Sequence, residues 1–265
     1  MEFIDIIIYI EIIILRKEEK LKKDNSFLTQ ALIAHRGFHD IKNGIPENSI
    51  LAFKKAIQNN YIIELDVHIT KDGKVVVFHD DNLKRVTGVD RDLKDLNYND
   101  LKTLKLQGTN QSIPLFKDVL NLINGKVPVI VELKYDVKCG ILEKEVIKIL
   151  KNYNGNFAIK SFNPFSVNYF RKNASTIPRG QLVSNFKDEK MNIFKKIFLS
   201  KMLFNFISRP DFISCDIRAL PNNKIEKIRK NKIILGWTVR NKEDMKKAKK
   251  YCDNFICENI EDIIT

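Results

Sequence analysis

The chain has 265 residues, 44% of them hydrophobic and 30% charged, enough to fill the core of one barrel-sized domain or two small ones. Its 46 basic and 33 acidic side chains leave a formal net charge of +13, which suits an anionic partner or simply a solvated, Lys-rich surface. No run of Arg, Gly and aromatic residues resembles a nucleic-acid module. The four cysteines form no CxxC pair and have no histidine at metal spacing, which argues against structural zinc and a disulfide framework and fits a reducing, cytoplasmic compartment.

In chain order, residues 1–25 stand apart from 26–265. The stretch FIDIIIYIEIIIL (3–15) is strongly apolar but carries Asp5 and Glu11. As a helix it would span about 20 Å, against a hydrocarbon core of ~30 Å. It lacks the basic leader and small-residue cleavage site of a signal peptide. A helix docked on the domain fits, and so does an interfacial anchor that would place the protein at a membrane surface. The following LRKEEKLKK would then face the cytoplasm.

From residue 26 onward, strand-like runs alternate with helical ones. ALIAHRG (31–37) reads as a strand, and NSILAFKKAIQNN (48–60) as a helix capped by Asn48 or Ser49. Further strands are predicted at YIIELDV, KVVVFHD, VPVIVELK, FAIKSF, GQLV, DFISCD, KIILGWTV and NFICEN. Helices are predicted at LFKDVLNLI, ILEKEVIKILKNY, PFSVNYFRKN, NNKIEKIRKN and NKEDMKKAKKY. This alternation implies a parallel sheet with helices outside, and the number of units points to a single-domain α/β fold, a (β/α)8 TIM barrel. No Gly-rich loop follows the first strand, which argues against a dinucleotide-binding sheet.

Nine strand candidates compete for eight places. Asp72-Gly73 is a strong hairpin turn. If Lys71 faces Lys74 across it, Asp66 stands opposite His79, with Glu64 on the same face. The alternative makes KVVVFHD a barrel strand and lets NFICEN close the structure less regularly. The basic, apolar run KKIFLSKMLFNFI (195–207) reads as a barrel helix, or as a second interfacial segment.

Polar residues gather where the predicted strands end: His35 and Arg36, Glu64 and Asp66, His79 and Asp80, Glu132 and Lys134, Ser161, and Trp237. In such a barrel, that rim is where active sites are built. Three converging carboxylates repel one another unless a cation lies between them, and an oxygen-only set suits Mg²⁺ or Ca²⁺. The rival reading pairs these carboxylates with Lys134 and Arg36 as a purely structural network, a costly way to build a core. Two histidines supply a general base and a general acid near neutral pH. Arg36 and Lys134 suit an anion. Together these describe phosphoester cleavage. His39 reads as a loop residue and His68 as a support of the sheet.

At AHRG, PENSILAFKKAI, IELDVHITKDGKVVVFHDDNLKRVTG, IPLFKDVL, VELK, SFNP and GWTV, from Leu32 to Asp262, the chain resembles the glycerophosphodiester phosphodiesterase family. The resemblance implies a TIM barrel with Glu64, Asp66 and Glu132 as ligands of one divalent cation, Ca²⁺ or Mg²⁺. It implies His35 and His79 as the acid–base pair, and Arg36, Glu47, Lys134 and Trp237 on the substrate side. The implied partner is a small-molecule glycerophosphodiester, not a nucleic acid. In the mechanism it implies, the glycerol 2-hydroxyl attacks phosphorus, a histidine protonates the leaving alcohol, and water opens a cyclic phosphate to glycerol phosphate. A lysophospholipase D-type activity at a membrane, or a catalytically silent basic membrane-surface protein, are the alternatives. Two positions depart from the family pattern. Cys257-Glu258-Asn259 stands where Thr-Asp or Thr-Asn is frequent, and Arg240 follows WTV where Asn is frequent.

Overall fold

The computed structural model describes residues 23–134, 139–184 and 205–264. Its strands are β1 (Ile33–Ala34), β2 (Ile62–Ile69), β3 (Val75–Val77), β4 (Val129–Leu133), β5 (Phe157–Ser161), β6 (Arg179–Val183), β7 (Phe212–Asp216), β8 (Ile233–Val239) and β9 (Asn254–Cys257). All but β3 pair in parallel around a closed ring, β1-β2-β4-β5-β6-β7-β8-β9 and back to β1. This is the TIM barrel that the alternation predicts. Outside it lie α1 (Ile50–Gln58), α2 (Phe116–Ile123), α3 (Ile141–Leu150), α4 (Pro164–Asn173), α5 (Asn223–Arg229) and α6 (Lys242–Tyr251). Ser49 caps α1, its side chain accepting from the Ala52 amide.

Strand alternation decides which side chains see the barrel axis. Ile33, Ile62, Ile130, Ala158, Phe212, Leu235 and Ile256 form one buried cluster, closed from below by Phe27 and Leu28. Side chains from strands all round a ring can meet only on its axis, so this cluster is the barrel floor. Their neighbours Ala34, Ile63, Val131, Ile159, Ile213, Ile234 and Cys257 belong instead to the layer shared with Phe53, Phe116, Val146 and Phe170 of the helices. Two residues beyond the floor, the chain returns to the axis one layer nearer the strands' C-terminal ends. That layer holds His35, Glu64, Glu132, Lys160, Ser214, Trp237 and Glu258. The next brings Asp66, Lys134 and Asp216.

The structure decides for the hairpin over the barrel-strand alternative, with its register corrected. KVVVFHD is an arm folded back on β2, while Asn254–Cys257 completes the ring against β1. The register also differs by one residue from the predicted one: Val67 faces Val77 and Ile69 faces Val75, and the Phe78 amide donates to the Asp66 carbonyl. The cause is Thr70. Its amide donates to the Lys74 carbonyl, and its hydroxyl accepts from the Lys74 amide and donates to Asp72. These bonds close a three-residue turn, Lys71-Asp72-Gly73, with Gly73 left-handed at φ +76. Asp66 therefore does not face His79 across a ladder. His79 lies beyond the last strand residue and is carried by the following segment. Phe78, Leu83, Val86, Leu93, Leu101 and Ile113 give that segment a small core of its own on Val76.

Among the described residues, no helix is long and apolar enough to cross a membrane. The apolar stretch 3–15 and most of the run 195–207 lie outside the described residues.

Candidate active site

Glu64 and Asp66 from β2 and Glu132 from β4 converge at the barrel mouth. One oxygen from each lies within 4.8 Å of the other two, and the side chains are almost wholly buried. Strand register sets this up, since Asp66 pairs with Glu132, and Glu132 with Lys160 of β5. Lys160 Nζ lies 2.9 Å from Glu64 and 3.1 Å from Glu132. Lys134 Nζ lies 2.7 Å from Glu132 and 2.9 Å from Asp66, and Arg36 Nε is 3.6 Å from Asp66.

Three cations thus oppose three carboxylates, where only Lys134 and Arg36 were counted from the sequence. Lys160 was missed because a single lysine inside FAIKSF looks incidental. Its signal was position, since a lysine on the inward side of a buried strand needs an anionic partner.

Burial pushes the Glu132 carboxyl up, but Lys134 and Lys160 outweigh it and hold the group at about 2. Burial also opposes ionisation of Asp66, yet Lys134, His79, Arg36 and His35 keep it well below the usual carboxylate range. Lys134 and Lys160 are driven up by the same carboxylates against their own desolvation.

The residues fit a hard divalent cation. The donors are all carboxylate oxygens. Glu64 Oε1 and Asp66 Oδ1 are buried and accept no directed hydrogen bond among the described residues, although ammonium groups stand 2.9 Å away. A cation there would compete with two lysines for the same oxygens.

Each histidine above the cluster is gripped from behind. His35 Nδ1 is 2.6 Å from Glu258 Oε1, and Arg240 Nε donates to Glu258 Oε2 at 2.8 Å. His79 Nδ1 is 2.5 Å from Asp80 Oδ1, and Arg85 Nε donates to Asp80 Oδ2 at 2.6 Å. In both, Nδ1 is occupied by a carboxylate and Nε2 is the nitrogen left for the site. His35 Nε2 lies 3.9 Å from Glu64. Burial raises the Asp80 carboxyl, but its bonds to His79 and Arg85 reverse this and leave it well below normal. His68, read as a support of the sheet, bonds the His79 carbonyl through Nε2 at 3.0 Å.

Arg85 is the second residue without a role in the sequence reading. Besides Asp80 it binds both oxygens of Glu47, at 2.9 and 2.7 Å, and Glu47 in turn accepts from Arg36 at 2.7 Å. Its charge raises no suspicion in DDNLKRVTG, because the partner comes from a distant segment.

The PEN stretch also supplies Asn48, left-handed at φ +53, whose side-chain amide donates to Asp66 Oδ2 at 2.9 Å. Arg36 and Gly37 are left-handed at φ +54 and +78, which lets both amides donate to Glu64. A Cβ on Gly37 would come within 2.9 Å of the Ala52 Cβ, so the loop can lie on α1 only with glycine there.

The far side of the mouth differs. Trp237 on β8 pairs in register with Asp216 and stands edge-on to Phe162, with ring centroids 5.7 Å apart. Its Nε1 is buried and has no hydrogen-bond partner among the described residues. Asp216 accepts from Ser184 and Arg218. Ser161, named among the strand-end residues, turns away from the axis and donates to the Leu133 carbonyl at 2.9 Å. His39 sits in its loop within reach of the charges of Glu258 and His35.

Similarity to known proteins supports the fold and the family. The model of the glycerophosphoryl diester phosphodiesterase family matches residues 35–259. A glycerophosphodiester phosphodiesterase of Caldanaerobacter subterraneus subsp. tengcongensis is 32% identical over 252 residues, covering 88% of this chain and 96% of that one. Among solved structures, the glycerophosphodiester phosphodiesterase of Thermotoga maritima superposes with a TM-score of 0.68 at 25% identity, over 88% of this chain and 96% of the other. An Oleispira antarctica phosphodiesterase, solved with the product sn-glycerol-3-phosphate, gives a TM-score of 0.73 at 22% identity, over 89% and 96%. With the barrel, the acidic cluster and the full-length relative in agreement, the chain belongs to the glycerophosphoryl diester phosphodiesterase family and is a phosphoric diester hydrolase of that class.

Proposed function

We propose that the protein hydrolyses glycerophosphodiesters to glycerol 3-phosphate and an alcohol, using one divalent cation, Ca²⁺ or Mg²⁺, and His35 and His79 as its acid–base pair. The observation that carries this reading is the stacking of two layers. Three buried carboxylates lie within 4.8 Å of one another, and two histidines with Nδ1 occupied lie above them. The product bound in the Oleispira antarctica structure points to the same chemistry.

Glu64, Asp66 and Glu132 would hold the cation, which when bound supplies charge neutralisation at the phosphoryl oxygens. Lys134, the more accessible of the two lysines, would then meet the phosphate together with Arg36. Glu47 and Arg85 keep the Arg36 guanidinium in place from behind.

One histidine takes the proton of the attacking hydroxyl at Nε2 as its oxygen bonds to phosphorus. The other gives its Nε2 proton to the alcohol oxygen as the P–O bond breaks. The pair then exchanges roles when water opens the cyclic phosphate, so both begin the next cycle in their starting states. Trp237 and Phe162 form an apolar wall on the side from which the organic group enters.

The test is release of glycerol 3-phosphate from glycerophosphocholine by purified protein and by His35→Ala and His79→Ala. Each substitution should lower kcat by about 10²- to 10⁴-fold. Undiminished turnover in either variant would remove that histidine from the mechanism. Lysophosphatidylcholine in a parallel assay reads whether an acyl chain is accepted, the lysophospholipase D-type alternative.

A further inference from the structure

We propose that Arg240 and Glu258 act together as a positioning pair that sets which nitrogen of His35 carries its hydrogen. The inference rests on the acid–base reading of His35 given above and adds two residues to it, neither of which touches the reacting atoms.

The barrel closure brings the three residues together from opposite ends of the chain. The His35 amide donates to the Cys257 carbonyl at 3.0 Å, and the Glu258 amide donates to the Val239 carbonyl at 2.9 Å. The ends of β1, β9 and β8 thus lie side by side, with His35, Glu258 and Arg240 following one another across them. Glu258 spends one oxygen on each neighbour: Oε1 lies 2.6 Å from His35 Nδ1, and Oε2 accepts from Arg240 Nε at 2.8 Å.

An ionised carboxylate only accepts, so the hydrogen must sit on Nδ1 and Nε2 is left bare toward Glu64 and the site. Burial raises the Glu258 carboxyl, but its bond to His35 and the charges of His35 and Arg240 hold it at about 2, which keeps it acceptor-only across the neutral range. Arg240 is itself anchored, since its backbone amide donates to Asp244 Oδ2 at 3.0 Å in the first turn of α6.

This arrangement makes a specific demand on a glutamine at position 258. The amide has one oxygen and one NH₂. Arg240 Nε can only donate, so it claims the oxygen and turns the NH₂ toward His35 Nδ1. That nitrogen must then accept, and the ring hydrogen moves to Nε2, the wrong nitrogen for a base facing the site. Without the Arg240 donor, the amide is free to turn over and accept from Nδ1 again. Glu258→Gln should therefore be harmful with Arg240 present and less harmful without it, an order that loss of packing alone would not give.

The experiment uses the full chain, labelled with ¹⁵N-histidine, at a pH where the rings are neutral. His35 is identified among the four histidines by its absence in His35→Ala. The wild type should show Nδ1–H, Glu258→Gln should show Nε2–H, and Glu258→Gln combined with Arg240→Met should show Nδ1–H again. On glycerophosphocholine, kcat should fall about 100-fold in Glu258→Gln with KM nearly unchanged. It should recover about tenfold in the double variant, while Arg240→Met alone should lose about threefold, because the Glu258 carboxylate still accepts from Nδ1 but is held less firmly. An Nε2–H wild type, or a double variant no better than Glu258→Gln in both readouts, would overturn the proposal. Ring nitrogens that follow the expected order while kcat stays flat would uphold the pair as the device that orients His35 and would overturn the acid–base role of His35 instead.

Discussion

The two halves of the barrel mouth are built from the same strand geometry and opposite chemistry. From β1, β2, β4 and β5 the inward side chains are His35, Glu64, Asp66, Glu132, Lys134 and Lys160, nearly all charged and nearly all buried. From β6, β7 and β8 they are Leu182, Ser184, Ser214, Asp216 and Trp237, with Asp216 paired to Arg218. Both halves stand on the same apolar floor. Burying six charged or titratable groups on one side is destabilising unless each is paired, and here the pairing is complete only when Lys160 is included. Buried charge is thus concentrated on the arc where phosphate chemistry is proposed, while the other arc carries mainly hydroxyl and apolar groups around Asp216.

The largest difference between the halves should appear on removing Lys160. Lys160→Met keeps the stem but leaves Glu64 without its buried lysine and Glu132 with Lys134 alone, and should cost about 3–5 kcal/mol in urea unfolding with chelator present. Added Ca²⁺ or Mg²⁺ should return part of that loss, because the cation stabilises only the folded cluster. A variant as stable as wild type in chelator would show that charge balance does not hold this arc.

The charged arc should also make stability fall in acid. Glu132 and Glu258 are each held at about 2 in the folded chain, below an ordinary 4.5. A depressed carboxyl contributes stability that is present above the unfolded value and lost as pH falls through the folded one. The loss therefore begins near pH 4.5 and proceeds toward pH 2. Each group should account for about 1–3 kcal/mol, read from urea midpoints between pH 7 and 3. Glu258→Gln should show a shallower decline than wild type.

The smallest effect is expected on the opposite arc. Ser214 Oγ is buried without a hydrogen-bond partner among the described residues, so Ser214→Ala should change stability by less than about 0.5 kcal/mol, in either direction, and turnover by less than about twofold. A large loss would mean that this hydroxyl takes part in binding.

The contrast also explains what was legible beforehand. The strands were visible because their alternation of apolar residues follows directly from being packed on two sides, and the nine predicted runs are the nine strands found among the described residues. Glu64, Asp66 and Glu132 stood out because carboxylates are so costly on such strands. Lys160 and Arg85 did not, because a lone cation is ordinary anywhere and its meaning lies in a partner distant in sequence. The hairpin register was missed by one residue for a local reason, since side-chain bonds of Thr70 override the two-residue turn that Asp72-Gly73 suggests. Arg240 and Glu258 were noticed only as departures from a pattern. That they meet at His35 follows from closing the ring, which no local stretch displays.

The most direct test of the charged arc is glycerophosphocholine hydrolysis by chelator-stripped protein as Ca²⁺ or Mg²⁺ is titrated back, beside Glu64→Gln. Saturable recovery of glycerol 3-phosphate release in the wild type, with little or none in Glu64→Gln, is the expected result. Full turnover in chelator, or equal recovery in both proteins, would contradict a cation held by Glu64, Asp66 and Glu132.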